Sequence, residues 1–478
     1  MPGGSEDFVT PTEEHLDIQF FSFNKTRKME SDSGLLQLGW RRIIQIYNLT
    51  HLTHLNLSHA GFRGQIPMEL SRMTSLVSLD LSSDFSRRLS LKLKYPNTKM
   101  LVQNLTGLRE LYLDGVDISA QGSDWCQVIS SSLPNLRILS LHNCNLLSPL
   151  DPSLLQLHYL SVLRLDENNF SSSVPDFFAN FSSLTTLSLA DCSLQGTFPE
   201  MLFQIPILQH LDLTYNELLG GTIRQFPQSR SFRTMLLSNT NFSGSLPNSI
   251  SNLSMLSRID MSKCKFSGPI PPTLANLTEL THVDLSQNFF TGSIPPFHLS
   301  KKLIPPFHLS KKLTRINLSH NRLRGSLSST HFKGLLNIEY IDLAYNLVGG
   351  SIPEYLFGLP SLQLLWLSNN QFKGRVNEFP TLHSSSLSDL DLSNNHLEGP
   401  IPESFFKLQR LNSLSLSYNL FNGTFELENI RRLRNLETLD LAHNNMPVDA
   451  STTNSSLSTF PQLNWLNLAS CNMYNFPD

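Results

Sequence analysis

Two groups of residues in this 478-residue sequence have the types and spacing for recognition chemistry. Arg258, Lys263, His282 and Arg315 are donors suited to carboxylates: a guanidinium forks two N–H groups onto one carboxylate, and an ammonium or imidazolium adds a point charge. Tyr340, Tyr345 and Trp366, with Leu364 beside them, are large apolar surfaces of the kind that dominates interface hot spots. Neither group contains the parts of a reaction. The sequence has no Walker loop, kinase motif set, His-Glu-x-x-His or supported Ser/His/Asp arrangement, so a binding protein is expected, with no enzymatic activity, cofactor or metal. Its 15 histidines are scattered, and ordinary surface positions are the default reading for most.

The elements that must position these groups follow from an internal repeat. Aligned on L-x-x-L-x-L-x-x-N-x-L, the chain has 17 units starting at Leu52, Leu76, Leu108, Leu136, Leu160, Leu184, Leu208, Phe232, Leu256, Leu280, Leu313, Ile338, Leu362, Leu387, Leu411, Leu436 and Leu463. Each starts with a short alternating segment, turns, and returns through a second apolar stretch. One unit alone cannot bury its apolar face, so neighbours must stack. The expected fold is an α/β solenoid, a right-handed horseshoe superhelix with a concave parallel sheet and variable returns on the convex side. Alternation sends the residues flanking the strand leucines outward, and this places both candidate groups on the concave face. One outward column, Asp80, Asp212, Asp260, Asp284, Asp342, Asp391 and Asp440, is an acidic stripe; keeping that face soluble explains it better than a basic partner does.

The ninth position of the unit carries Asn168, Asn216, Asn288, Asn321, Asn346, Asn370, Asn395, Asn419 and Asn444. A buried amide there donates to backbone carbonyls from coil to coil. Cys144, Cys192, Cys264 and Cys471 hold the same position, so they read as small structural donors rather than nucleophiles. Cys126 lies off this ladder, either a free thiol or the remnant of a pair. The five cysteines are far apart without C-x-x-C, and neither a zinc site nor a disulfide framework is indicated.

A net charge of -3 gives no reason to expect nucleic acid as partner. No apolar run is long enough for a membrane helix, and Glu6, Asp7, Glu13 and Glu14 occupy the place of a signal peptide's apolar core. The expected organisation is an unmatched, disordered segment over residues 1–43, then an uncapped repeat array over 44–478. IPPFHLSKKL occurs twice in succession, stretching one spacing to 33 residues. The second copy, residues 304–313, is expected to loop out on the convex side or to shift the stacking.

FSGPIPPTLANLTEL from Phe266 and LEGPIPESFFKLQRL from Leu397 resemble the G-x-I-P segment of plant-specific leucine-rich repeats. More narrowly, VQNLTGLRELYLDGVDISAQGSDWCQ (Val102 to Gln127), FANFSSLTTLSLADCSLQGTFPE (Phe178 to Glu200) and SKKLTRINLSHNRLRG (Ser310 to Gly325) look like the Verticillium wilt resistance receptor-like proteins. The resemblance implies the extracellular part of a plasma-membrane immune receptor without its own kinase, which detects protein or peptide ligands and signals through receptor-like kinase co-receptors. The family's signal peptide, cysteine-paired cap, later repeats and membrane helix have no counterpart here, and the chain reads as truncated.

Of twelve glycosylation sequons, Asn48, Asn104, Asn180, Asn252 and Asn276 fall in return segments, where a glycan leaves the concave face open. Asn56 and Asn317 lie between strand leucines, where a glycan would cover it. Two other readings remain at this stage. One is a secreted inhibitor of cell-wall-degrading enzymes, disfavoured by the repeat number; the other is a truncated fragment retained as a decoy.

Overall fold

A computed structural model of the chain describes residues 49–83, 91–147, 149–296, 312–328, 331–332, 334–380, 385–449 and 460–474. Residues 1–43, most of the second decapeptide copy and Asn48 lie outside this set. The chain forms two compact units, one of residues 1–171 with 180–184, the other of 172–179 with 185–478.

Each repeat opens with a three-residue strand. In the first unit His54–Asn56, Ser78–Asp80, Glu110–Tyr112, Ile138–Ser140 and Val162–Arg164 pair in parallel, in chain order. In the second, the parallel run starts at Thr186–Ser188, passes through His210–Asp212 and Thr234–Leu236, and continues to Arg258–Asp260, His282–Asp284 and Arg315–Asn317. Tyr340–Asp342, Leu364–Trp366, Asp389–Asp391, Ser413–Ser415, Thr438–Asp440 and Trp465–Asn467 extend it. Ile259, Val283 and Leu365, each the central residue of its strand, are at most 1% exposed. Their neighbours face outward, so each strand adds two side chains to one surface.

The turn after the strand is built by three devices. The seven Asp side chains of the stripe each accept the backbone N–H two residues on, for example Ser262 N–H to Asp260 Oδ1 at 3.0 Å and Ser286 N–H to Asp284 Oδ1 at 2.9 Å. They are therefore turn-formers first, whatever they contribute to solubility. A residue in the left-handed region follows, usually not glycine: Lys263, Gln287, His320, Tyr345 and Asn369 have φ between 52° and 55°. That conformation costs about 1–2 kcal/mol per residue. It delivers the next side chain, the ladder residue, into the interior. Asn346 donates to the carbonyls of Leu318 and Leu343, and Asn370 to those of Leu343 and Leu367, so each carbonyl serves two rungs. The thiols of Cys144, Cys264 and Cys471 donate to Leu113, Leu237 and Leu441 carbonyls at 3.1–3.2 Å.

The returns of the solenoid are short. Most are single 3-10 turns, such as Asn248–Asn252, Pro272–Asn276, Glu354–Gly358 and Glu403–Lys407. The α-helices among the described residues are short, Thr98–Val102 and Trp125–Ser132. A 24-residue unit that must also close two turns leaves too few residues for more. A second parallel sheet, absent from the sequence reading, lies beyond the ladder: Gln195–Thr197, Leu218–Thr222, Asn241–Ser245, Lys265–Pro269, Phe289–Ser293 and Arg322–Arg324. The glycine of the G-x-I-P segment shapes it, since Gly268 sits at φ 74°, where a side chain is strained. The phenylalanines of these strands make an interior stack: Phe242 on Phe266 at 6.5 Å and Phe266 on Phe290 at 6.2 Å between ring centroids.

The 33-residue spacing leaves the register unshifted. His282 pairs directly with Arg315, and Asn321 donates to the Leu285 carbonyl at 2.9 Å as any ladder amide does. Cys126 is buried in its helix and reduced, with burial pushing its thiol up to about 12, so it stays protonated and inert.

Candidate ligand-binding face

Parallel pairing aligns Arg258, His282, Arg315, Tyr340, Leu364 and Asp389 in one outward column, and Asp260, Asp284, Asn317, Asp342, Trp366 and Asp391 in the next. Arg258, His282, Arg315 and Tyr340 line one depression of about 210 Å³ with Asp260, Asp284 and Asn317. The two groups distinguished in the sequence are thus joined. The Arg315 guanidinium lies 4.9 Å over the Tyr340 ring, and Tyr340 meets Trp366 edge-on at 5.9 Å. Trp366 donates its indole N–H to Asp389 Oδ1 at 3.0 Å. Asp389 was not singled out in the sequence; only the register shows that it lies beside the tryptophan.

The face differs from the expected one in three ways. Tyr340, Leu364 and Trp366 are half-buried, forming the floor of the face instead of projecting from it. Lys263 and Tyr345 are exposed but occupy left-handed turn positions beyond the strands, and Tyr345 stacks on His320 at 4.1 Å. They flank the face without lining its depression. Finally, Asn317 is already engaged: it donates to Asp284 Oδ2 at 3.1 Å and accepts from the Ser319 N–H and hydroxyl. Its sequon residues are therefore committed to the turn, and an amide in place of the column's usual carboxylate removes one negative charge beside Arg315.

The result is a positive column alongside a negative one. Burial raises the acid pKa of Asp284 and Asp342 above the ordinary carboxylate range, while burial and the Arg258 and Arg315 charges lower His282 below 6.5. Burial, followed by the Asp342 charge, also raises the Tyr340 phenol, which remains protonated as a donor. A ligand carboxylate between the two arginines would reverse the field at His282. Binding of a carboxylate-bearing peptide should then take up a proton there: affinity gains as pH falls through the bound-state value and levels off below the lowered free-state value. Without ligand the sign is opposite, since the fold favours neutral imidazole and loses that contribution as pH falls from 6.5 through the lowered value. An NMR titration of His282, free and with ligand, checks both; an imidazole titrating above 6.5 in the free protein contradicts the assignment.

Of the return sequons, Asn104, Asn180 and Asn276 are exposed, while Asn252 is half-buried and donates to the Phe226 carbonyl at 3.0 Å.

Stacked strands, a nine-residue turn frame and an amide ladder define a leucine-rich-repeat solenoid. Leucine-rich-repeat family models match residues 158–218, 311–372 and 385–446, and residues 51–73, 231–253, 255–277 and 279–299, together more than half of the chain. Receptor-like protein 6 of Arabidopsis thaliana is 40% identical over 136 residues, 28% of this chain and 13% of that protein. Receptor-like protein EIX1 of Solanum lycopersicum is 35% identical over 137 residues, 27% of this chain and 12% of that protein. The matched stretches are thus a small part of either relative's length. Among solved structures, the plant peptide hormone receptor RGFR1 in complex with RGF2 superposes with a TM-score of 0.64 at 25% identity, over 90% of this chain and 76% of that one. The chain belongs to the leucine-rich-repeat family, with the repeats of plant receptor-like proteins. Among the described residues no helix is long and apolar enough to cross a membrane.

Proposed function

We propose that this chain is the ligand-recognising, extracellular-facing part of a plant plasma-membrane receptor-like protein acting in defence. In this reading it binds a protein or peptide on the concave face and signals through receptor-like kinase partners. The observation that carries the reading is the convergence of Arg258, His282, Arg315 and Tyr340 on successive strands around one depression, with Trp366 on the next strand packed edge-on against Tyr340. The likeness to RGFR1, a plant peptide hormone receptor in complex with RGF2, supports peptide as the ligand class. The narrower likeness to Verticillium wilt resistance proteins and the glycosylation of Asn104, Asn180 and Asn276 belong to the same proposal.

The paired columns favour an extended segment with a carboxylate over Arg258 and Arg315, an apolar side chain over Tyr340 and Trp366, and a donor toward Asp260 or Asp284. Peptides selected on the array from a displayed library should share that pattern. Tyr340→Ala with Trp366→Ala should weaken them about thirtyfold, roughly 2 kcal/mol, with an unchanged circular dichroism spectrum. Equal affinity in parent and variant would remove this face as the binding site.

A further inference from the structure

A second charged surface lies away from the strands, on two successive returns. Phe406, Lys407, Gln409, Arg431, Arg432 and Arg434 bound an open depression of about 450 Å³. Lys407 and Arg432 stand at the same repeat position, four residues before Leu411 and Leu436, and Gln409 and Arg434 share the position two before. Gln409 Nε2 donates to the Arg432 carbonyl at 3.3 Å, tying the rungs together. Three carboxylates offset part of the charge: Glu403 meets Arg432 at 2.8 Å, Glu428 meets Arg431 at 3.3 Å, and Glu378 lies within reach of the Lys407 charge. Lys407, Arg410 and Arg434 are exposed and have no carboxylate at ion-pair distance among the described residues; Arg410 reaches only the Ser386 hydroxyl, at 3.5 Å.

The repeat adds an independent observation. The position held by Lys407 and Arg432 is the one at which Asn104, Asn180, Asn252 and Asn276 open sequons in other repeats. Here it carries cations, and the one sequon in these two repeats, Asn422, lies ten residues before Arg432. At the position where other returns can carry a glycan, these two present positive charge.

We propose that this face binds a linear acidic polysaccharide carrying a carboxylate on its successive sugars. Rungs of a parallel sheet recur about every 4.8 Å, comparable to the advance of one sugar in an extended chain, so cations at equivalent positions on adjacent rungs meet successive carboxylates. The depression is open, which suits a polymer lying across rungs better than an enclosed small molecule. An anionic bilayer fits less well: of the lining side chains only Phe406 is apolar, and it is 3% exposed, while the exposed Phe460 ring beside it is covered by the Arg431 guanidinium at 4.4 Å.

The test uses the whole chain and four probes: an unesterified polygalacturonate oligomer, the same oligomer fully methyl-esterified, polyglutamate, and phosphatidylserine vesicles. The unesterified oligomer should bind, more weakly as salt is added. Lys407→Glu with Arg434→Glu should reduce that binding at least about tenfold, as expected for losing charge-assisted bonds. Lys407→Arg with Arg434→Lys should retain it, and Tyr340→Ala with Trp366→Ala should not affect it. Any of four results overturns the proposal: no binding of the unesterified oligomer, equal binding of the esterified one, tighter binding of polyglutamate or vesicles, or unchanged binding after charge reversal.

Discussion

Truncating Phe266 to alanine should lower stability by about 3–5 kcal/mol, the largest loss expected from any single change considered for this chain. Phe266 is fully buried and stacks on Phe242 on one side and Phe290 on the other. Removing the ring withdraws both contacts and opens a cavity inside a continuous stack, and collapse is limited because the neighbouring Phe242 and Phe290 are held in the second sheet by their parallel pairs with Gly221 and Gly268. Phe266→Leu fills most of the space and should cost less than half as much. Repeat arrays can unfold in pieces, so native-state hydrogen exchange at the amides of 242, 266 and 290 is the readout, with urea denaturation beside it. A loss below about 1 kcal/mol would show that the stack is not a principal source of stability.

Replacing Asn370 by alanine should cost about 2–4 kcal/mol through polar groups instead of volume. Its amide donates to the carbonyls of Leu343, Leu367 and Ser368, and its oxygen accepts the Val348 N–H at 3.0 Å. Alanine leaves that buried N–H without its acceptor and removes a donor from each carbonyl. Cysteine at the same place should be milder, because Cys144 and Cys264 show a thiol donating to the equivalent carbonyl at 3.1 Å. It still cannot replace the amide oxygen. The ordering Asn, Cys, Ala in urea midpoint is the expected result; Cys and Ala indistinguishable would mean the thiol bond contributes nothing.

The repeat was legible because its leucines and ladder residues recur at fixed positions, and stacking follows from a face that one unit cannot bury. The second sheet was not legible. Its strands, such as Phe289–Ser293, mix Phe, Thr, Gly and Ser without the alternation of a half-buried strand, and become strands only because a neighbouring rung supplies the partner. The candidate face was half legible. Column membership follows from counting within the unit, which correctly separates Arg258 from Ile259, whereas the depth of Tyr340 and Trp366 depends on how their rings pack on Arg315 and Asp389. Lys263 and Tyr345 lie three residues past the ends of their strands, in a left-handed turn position that the alternation of a strand does not describe.

The direct pairing of His282 with Arg315 across the longer spacing also bears on how such a gene can change. Strand, turn, ladder and second-sheet strand are fixed in length by the bonds they share with adjacent rungs, but the path from the second sheet to the next strand is not. A copying slip that inserts ten residues there is neutral for the recognition surface, while a one-residue slip within the strand would invert it. The surface can therefore accumulate substitutions under selection while the connecting DNA drifts in length, and variation in the two is uncoupled.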